Sequence, residues 1–436
     1  MANRQKNEAE ILSKLGITQL NPMQEATQAA FVKEDEILLL SPTGTGKTLA
    51  FLLPLFASLN PEIDEVQALI LAPSRELAMQ IENVAKEMGT GFKTNVVYGG
   101  RAVSQDKLDL KRPPAVLIGT PGRIADHLRR ETVSTWKIKT LVLDEFDKSL
   151  EIGFEEDMIE IMESLPALRK KLLTSATQSI RIPRFVQFSR PQRLNFLSSG
   201  HSALTVKSVP SPSKDKLETL YELLCHLGNP PGIVFCNFRD AIDRVSQFLS
   251  ARGIDHGCFH GGMEQRERER SLIKFRNGTH QLLLATDLAA RGIDVPEIQF
   301  IVHYHLPLKA EEFTHRNGRT ARMNREGTSY VIHWENEPLP DFIGQPEVED
   351  VYPGENPPSP VWSTLFVSGG RRDKISKGDL AGLFFKQGGL EREQLGTIEL
   401  KPDCAFVAVE RSAAVSVIKR LDNSRVKKRK VRVKLV

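Results

Sequence analysis

The stretch Ser41-Pro42-Thr43-Gly44-Thr45-Gly46-Lys47-Thr48 constrains this chain more than any other. It follows an apolar run, Ile37-Leu38-Leu39-Leu40, and precedes a helix-like segment that begins Leu49-Ala50-Phe51. A buried strand feeding a glycine-containing turn and then a helix is the setting a phosphate-binding loop requires. Gly44 and Gly46 let the backbone double back so that its N–H groups point at phosphate oxygens. Lys47 offers a point charge to β- and γ-phosphates, and the Thr48 hydroxyl suits a Mg2+ ion. Ser41 stands where the usual pattern has its first glycine, so the loop is a variant.

A loop of this kind belongs in a parallel sheet, and the flanking sequence has the matching pattern. Apolar runs of strand length occur at Ile37–Leu40, Ala68–Leu71, Val96–Tyr98, Val116–Ile118, Thr140–Leu143 and Lys171–Leu173, each followed by a helix-like stretch. Continuous runs, not alternating ones, mark strands buried on both faces, with ligands at their carboxyl ends. The pattern breaks after Pro191-Gln192-Arg193, and Ser198-Ser199-Gly200 reads as a hinge. A second α/β series follows at Gly232–Phe235, Leu282–Ala285, Phe300–Val302 and Ser329–Ile332, without a Gly-Lys-Thr loop of its own. Two halves that share one phosphate loop imply a nucleotide held between them.

At 436 residues the chain has room for two to four domains. No run approaches the roughly 18 apolar residues of a membrane span, and no signal-peptide apolar region follows Met1–Lys6, so a cytoplasmic, monomeric enzyme with no membrane partner is the expectation. Cys225, Cys236, Cys258 and Cys404 lack metal-ligand spacing and read as buried thiols in a reducing compartment. The net charge of +4 hides an asymmetry. Residues 361–436 carry 17 Lys and Arg against 8 Asp and Glu, a net +9, which leaves −5 for the remainder. A basic domain on a mildly acidic body is built to meet a polyanion. Between them, Glu335–Pro360 has seven prolines, seven acids and no Lys or Arg, and its later part reads as a stiff, extended linker. In the last 76 residues, strands at Leu365–Val367, Cys404–Val409 and Lys430–Leu435 and helices at Lys377–Gln387 and Ala413–Leu421 predict an antiparallel sheet with helices on one face.

Three further stretches carry chemistry. Thr140–Leu143 delivers Asp144-Glu145-Phe146-Asp147 at a strand tip: Asp144 suits a hydrated Mg2+ and Glu145 a water to be deprotonated, although such pairs are also common at strand ends. Ser175-Ala176-Thr177 brings two hydroxyls that either relay hydrogen bonds to those carboxylates or simply satisfy a turn. His315-Arg316-Asn317-Gly318-Arg319-Thr320-Ala321-Arg322 reads as a solvated basic surface or as arginines that stabilise a transferring γ-phosphoryl.

Taken in order, these stretches resemble the motifs of the DEAD-box RNA helicases over roughly residues 8 to 340. Gly16 through Gln24 looks like the Q motif. Pro73-Ser74-Arg75-Glu76-Leu77-Ala78, Gly99-Gly100 and Thr120-Pro121-Gly122-Arg123 look like the RNA-contact motifs of the first domain. Ile233–Asn237, His260-Gly261 with Gln265 and Arg268, Ala285–Asp287 through Asp294, and His315–Arg322 are similar to the second-domain motifs. The resemblance implies two tandem RecA-like parallel-sheet domains followed by a small α+β RRM-like domain: residues 1–200, 201–343, an acidic Pro-rich linker 344–361, and 362–436. It implies ATP and Mg2+ as cofactors, with Gln24 on adenine, Thr43, Gly44, Thr45, Gly46, Lys47 and Thr48 around the phosphates, and Asp294 on the ribose. Thr48 and Asp144 would hold the metal, and Glu145, with Lys47, Arg319 and Arg322, would serve hydrolysis. Arg75, Gly100, Thr120, Arg123, Arg268 and Thr286 would grip the RNA backbone without reading bases. The implied activity is local, ATP-dependent unwinding of RNA by closure of the two α/β domains. Rival readings are an ATP-gated RNA clamp and, more weakly, a DNA helicase.

The departures are Phe146 for alanine, Asn21 for the Q-motif threonine, Ala321 for a glycine, and no aromatic before Phe31 to pack on adenine. The C-terminal segment resembles an RNA-recognition fold, with Phe366 and Phe406 at positions that either stack bases or pack into the core, and Cys404 where a third aromatic is usual. Ser424–Val436, with seven Lys and Arg and no acid, suits an edge strand with a basic face. The whole arrangement is similar to the DbpA type of bacterial DEAD-box helicase. That likeness implies structured RNA as partner, a large-subunit ribosomal RNA hairpin in a preribosomal particle, with mRNA decay or cold adaptation as the alternative.

Overall fold

The computed structural model describes residues 6–42, 44–177, 182–197, 203–287, 298–320, 326–352 and 354–436. These fall into two compact units that divide near residue 202.

The first unit is a seven-stranded sheet. Its strands are β1 (Glu36–Leu40), β2 (Ala68–Leu71), β3 (Thr94–Val97), β4 (Val116–Gly119), β5 (Thr140–Leu143), β6 (Lys170–Ser175) and β7 (Gln192–Asn195), in the order β3-β4-β2-β5-β6-β1-β7. All pairs are parallel. Neighbouring residues enter opposite cores, Ile37 and Ile70 on one face, Leu38 and Leu69 on the other. Two-sided burial is why these strands read as unbroken apolar runs. The exception is β7, whose Gln-Arg-Leu-Asn sequence pairs only with β1 at the sheet edge and is largely exposed. The sequence reading ended the pattern there because an edge strand needs no apolar run. The expected hinge at residues 198–200 lies outside the described residues.

The second unit opens with another seven-stranded sheet: β8 (Ala203–Ser211), β9 (Gly232–Phe235), β10 (Gly257–Phe259), β11 (Leu282–Ala285), β12 (Phe300–His303), β13 (Glu326–Trp334) and β14 (Glu347–Val348), ordered β10-β11-β9-β12-β13-β8-β14. Here the structure corrects an expectation. The acidic, Pro-rich segment does not stand off as a spacer; β14 extends the sheet in parallel with β8. Glu349 pairs with Lys207 and with His226 Nε2 at 3.2 Å. Farther on, Asn356 accepts from the Tyr221 hydroxyl at 2.6 Å and donates to the Arg252 carbonyl at 2.7 Å. Extended backbone and acidic side chains suit an edge strand against a basic neighbour as well as they suit a solvated linker.

The last 75 residues add β15 (Trp362–Val367), β16 (Leu395–Leu400), β17 (Ala405–Glu410), the short hairpin β18 (Arg425–Val426) and β19 (Arg429–Lys430), and β20 (Val433–Leu435). The antiparallel sheet runs β16-β17-β15-β20. Leu365, Val367, Val407 and Val409 pack with the apolar residues of helices Lys377–Lys386 and Ala414–Leu421. Period two then turns Trp362, Thr364, Phe366, Phe406 and Ala408 to the opposite face, and that face meets the second α/β domain. Thr364 Oγ1 takes a hydrogen bond from Asn277 Nδ2 at 3.3 Å and lies 2.7 Å from Thr279 Oγ1, all three buried. Arg276 Nη2 sits 2.9 Å from both oxygens of Glu399, and Lys401 Nζ bridges Glu399 and Glu269 at 2.8 and 2.7 Å. Burial pushes the Glu399 carboxyl up, yet the cations Arg276 and Lys401 hold it below its ordinary range.

Candidate active site

The phosphate loop is held by the helix Pro22–Lys33 that precedes the first strand. Asn21 caps this helix: its Oδ1 accepts from the Gln24 N–H at 3.0 Å, and Gln24 Oε1 accepts from the Asn21 N–H at 3.0 Å. Both amides also reach the loop, Asn21 Nδ2 to the Thr45 carbonyl at 3.0 Å and Gln24 Nε2 to the Gly46 carbonyl at 3.3 Å. The departure at Asn21 therefore supplies a donor that threonine lacks at this reach. Gly46 has φ +88°, a left-handed conformation that favours glycine, and a Cβ there would also press on the Gln24 amide at 2.6 Å. Ser41, the other departure, lies buried with its hydroxyl 2.7 Å from that of Thr45, which in turn donates to the Pro42 carbonyl at 2.9 Å. Lys47 opens the next helix and donates to the Ser41 carbonyl at 2.7 Å. Thr48 follows it on the same first turn. Thr43 lies outside the described residues.

At the tip of β5, Asp144 is buried, and its Oδ1 accepts from the Thr174 hydroxyl on β6 at 2.5 Å. The same Thr174 oxygen accepts the Glu145 N–H at 3.0 Å. Glu145 has φ +46° and ψ +51°, the left-handed region that costs a non-glycine residue about 1–3 kcal/mol and clusters at functional sites. Burial, then the neighbouring Glu145 charge, raises the Asp144 carboxyl to about 6, while Thr174 and Lys47 pull it back. Burial likewise raises Asp147, which accepts from Thr177 Oγ1 at 3.1 Å; Thr177 Oγ1 lies 3.0 Å from Ser175 Oγ. A buried carboxylate that resists ionisation beside a lysine and a ready-made phosphate loop is a setting in which a cation is favoured. The oxygens of Asp144 and Thr48 fit Mg2+, which binds through one or two protein oxygens plus phosphate. Ser175 and Thr177 join the carboxylate network through Asp147. Thr174, which holds both Asp144 and Glu145, was missed; the only signal was a hydroxyl ending an apolar strand. Phe146 turns out to be fully buried in the apolar cluster with Leu143, Leu173 and Val186.

On the expected RNA side of this unit, Arg75 begins a helix capped by Ser74, and its guanidinium lies against Gly99 and Gly100. Gly100 has φ +87°, and a Cβ there would sit 2.6 Å from Arg75 Nη1. Thr120 occupies the N-cap of helix Pro121–Arg129 without a side-chain cap bond. Arg123 is not free to grip a phosphate but is tied down: Nε and Nη2 bind Asp106 Oδ2 at 2.8 and 2.7 Å, and Nη2 also donates to the Arg101 carbonyl. His127 approaches the same buried Asp106 at 3.2 Å.

In the second unit, Arg268 is buried with its guanidinium 5.0 Å from the Phe259 ring, and the Thr286 N–H reaches the Phe259 carbonyl at 3.3 Å. Arg319 is buried one residue past the helix Ala310–Asn317 and its C-cap Gly318. Asp294, Ala321 and Arg322 lie outside the described residues. Sequence reasoning gave Arg316 no separate role, yet it organises the site. Its guanidinium clamps Asp287 at 2.7 and 2.6 Å, donates to Asn237 Oδ1 at 2.7 Å and to the His305 carbonyl at 2.8 Å, and lies over Phe235. Burial, reinforced by nearby cations, drives His303 down to about 3 and His305 to about 4, so both stay neutral. His305 Nδ1 can then accept the Asn237 N–H at 3.2 Å.

Comparison with known proteins agrees with this arrangement. Residues 21–185 match the DEAD/DEAH box helicase model, 215–324 the helicase conserved C-terminal domain, and 364–435 the DbpA RNA binding domain. The chain is 30% identical to the ATP-dependent RNA helicase DbpA of Escherichia coli over 98% of its own length and 96% of that protein's. It is 29% identical to the Bacillus subtilis DbpA, over 97% and 96%. The solved structure of Saccharomyces cerevisiae Dbp5 bound to RNA and ADP BeF3 superposes with a TM-score of 0.67 at 28% identity, covering 75% of this chain and 88% of that one. Among the described residues no helix is long and apolar enough to cross a membrane. Phosphate loop, paired carboxylates and buried arginine clamp thus sit in a chain that belongs to the DEAD-box ATP-dependent RNA helicases of the DbpA type.

Proposed function

We propose that this helicase hydrolyses ATP to open short stretches of structured ribosomal RNA, as part of large-subunit maturation in a preribosomal particle in the cytoplasm. The observation that carries the catalytic half is Thr174 holding Asp144 and the Glu145 backbone together beside Lys47. In this reading Asp144 and Thr48 hold Mg2+, which neutralises phosphate charge when ATP is bound. Glu145 takes the proton of the attacking water, and the left-handed backbone at Glu145 aims its carboxylate. Gln24 reads adenine and the loop residues 43–48 take the phosphates. Asp294 meets the ribose, and Arg319 with Arg322 stabilises charge on the γ-phosphoryl. Arg75, Gly100, Thr120, Arg268 and Thr286 contact RNA phosphates and sugars, while Arg123 serves that surface by fixing Asp106 and the Thr120 turn. The C-terminal domain, from about residue 362, grips the structured part of the RNA. The linker of residues 344–361 positions it.

The test is Glu145→Gln, which keeps shape and leaves Asp144 untouched. RNA-stimulated turnover is expected to fall by about 100-fold or more, the range for lost acid–base help, with ATP-dependent RNA binding retained. Turnover within a few-fold of the wild type removes Glu145 from the role. Duplex release measured beside RNA residence time separates unwinding from an ATP-gated clamp.

A further inference from the structure

We propose that Phe238 stacks on a base of single-stranded RNA, with Arg239 beside it on the phosphate backbone. The inference rests on the reading above that Arg268 and Thr286 meet that backbone, and it adds a residue that meets the bases.

Topology fixes the place. Strands β10, β11, β9 and β12 lie side by side and parallel. His260, Thr286, Phe238 and His305, each within three residues of a strand end, therefore share one edge of the sheet. Ligands collect at this carboxyl end of a parallel sheet. Phe238 is 66% exposed there. A single exposed apolar residue would by itself need no explanation, but three features set this one apart.

The first is rigidity. The Phe238 ring meets the His305 ring edge-on at 6.3 Å. Its neighbour Asn237 is fixed from three sides: Oδ1 accepts from the Arg316 guanidinium at 2.7 Å, the N–H donates to His305 Nδ1 at 3.2 Å, and Nδ2 donates to the Leu306 carbonyl at 3.0 Å. A ring carried on so constrained a backbone loses little freedom when a base settles on it. The second is charge. Phe238 stands at the N-terminus of helix Arg239–Ala251 and makes no side-chain capping bond. Arg239 opens that helix and lies along Gly262, where an added Cβ would come within 2.9 Å of its Nη1. It approaches Asp243 at 3.9 Å with both side chains more than half exposed, a pairing too loose to neutralise it. The third is His260, which is 7% exposed and has its Nδ1 buried without a hydrogen-bond partner. Burial holds its imidazole below the ordinary range; Asp243 opposes this, while Arg239 and Arg268 reinforce it. Both arginines therefore lie close to one imidazole, and a buried nitrogen left unsatisfied asks for a ligand or a water.

An aromatic ring beside two arginines and an unsatisfied imidazole has the composition of a single-strand platform, in which rings take bases and cations take phosphates. A base inside a duplex keeps its faces against its neighbours, so only an unpaired, unstacked base can lie on Phe238. Stacking of this kind tolerates any base and favours the strand already peeled from its partner.

The experiment measures binding of the full chain, with a non-hydrolysable ATP analogue present, to a short single-stranded RNA and to the same backbone built from abasic nucleotides. Wild type is compared with Phe238→Ala, Phe238→Trp, Arg239→Gln and Arg268→Gln, with Thr286→Ala as a milder variant of the Arg268 surface. Phe238→Ala is expected to lose about fivefold or more in affinity for the base-bearing RNA, the range for one lost stacking contact. Its salt slope should not change, because no charge is removed. On the abasic backbone the same variant should bind within about twofold of the wild type. Phe238→Trp should keep base-bearing affinity within about threefold, and Arg239→Gln should flatten the salt slope by about one. A Phe238→Ala variant that matches the wild type on base-bearing RNA, or weakens both RNAs equally, overturns the proposal. A raised KM for ATP with RNA affinity intact overturns it too, and assigns the ring to the nucleotide. If Arg268→Gln or Thr286→Ala weakens both RNAs and Phe238→Ala weakens neither, only the stacking role is wrong. If neither Arg268→Gln nor Thr286→Ala changes either affinity, the backbone reading of those two residues fails, and Phe238 stands or falls on its own result.

Discussion

Replacing Asp144 by Asn should destroy turnover and stabilise the protein, and the second effect can be sized. Asp144 is raised from an ordinary 3.8 to about 6, first by burial and then by the charge of Glu145. A carboxyl whose folded pKa lies above its unfolded one binds protons more tightly in the folded state. Its favourable contribution is therefore complete below about pH 4 and is lost as pH rises through 6, where ionisation must be forced on a buried group. A displacement of this size corresponds to about 3 kcal/mol of destabilisation at pH 8 and about half that at pH 5. Asn keeps an oxygen to accept from Thr174 Oγ1 and carries no charge to desolvate. Amide exchange of the β5 and β6 segments, followed without nucleotide or Mg2+, is the suitable readout because it isolates the first unit. Protection should rise in Asp144→Asn by about 1–3 kcal/mol at pH 8 and by visibly less at pH 5. Equal or lower protection at pH 8, or a gain that grows on acidification, would refute the reasoning.

Other substitutions test the second unit. Arg316→Lys cannot keep two bonds to Asp287 while also reaching Asn237 and the His305 carbonyl; the urea midpoint should fall by the equivalent of roughly 3 kcal/mol, with RNA-stimulated ATPase reduced as well. Deleting residues 361–436 should leave ATPase at saturating RNA largely intact and weaken affinity for structured RNA. It uncovers Asn277, Thr279 and Arg276, so it should also lower the unfolding midpoint of the remaining second domain, which a free tether would not do. An unchanged midpoint would mean that the contact contributes nothing.

Much of the fold was legible because parallel strands buried on both faces leave unbroken apolar runs, and the phosphate loop fixed which end of the sheet bears the site. What escaped shares a physical cause. Strand β7 and strand β14 lie at sheet edges and need few apolar residues, so their polar sequences read as loop or linker. Thr174 and Arg316 act inside networks whose other members are far away in sequence, Asp144 thirty residues before Thr174 and Asp287 twenty-nine before Arg316. No local spacing marks such a partner. Asn21 could be seen only as a departure from a pattern, since its value lies in a reach of 24 residues to Thr45. The covered sheet face was illegible for the same reason: Trp362, Thr364 and Phe366 alternate as any open sheet would, and nothing nearby announces the turn at residues 277–279.

Phe146 sets motif against packing most directly. Most relatives of this type are expected to carry alanine there, so Phe146→Ala restores the family's usual motif and, judged by resemblance, should be neutral or beneficial. The structure argues the reverse. Phe146 is 0% exposed, begins the short helix Phe146–Glu151 and joins the cluster that includes Leu143, Leu173 and Val186. Removing a buried ring from a filled core costs about 3–5 kcal/mol, from lost transfer free energy and the cavity left behind. Leucine, which refills part of the volume, should cost less, about 1–2 kcal/mol. Asp144 and Glu145 are held by Thr174, not by the ring, so kcat well below the melting transition should stay within a few-fold of the wild type. Thermal unfolding of wild type, Phe146→Leu and Phe146→Ala should fall in that order, with ATPase at low temperature nearly equal. If the alanine variant melts as high as the wild type, the neighbouring side chains have room to collapse onto the smaller residue. Position 146 would then be governed by the motif and not by the core beneath it.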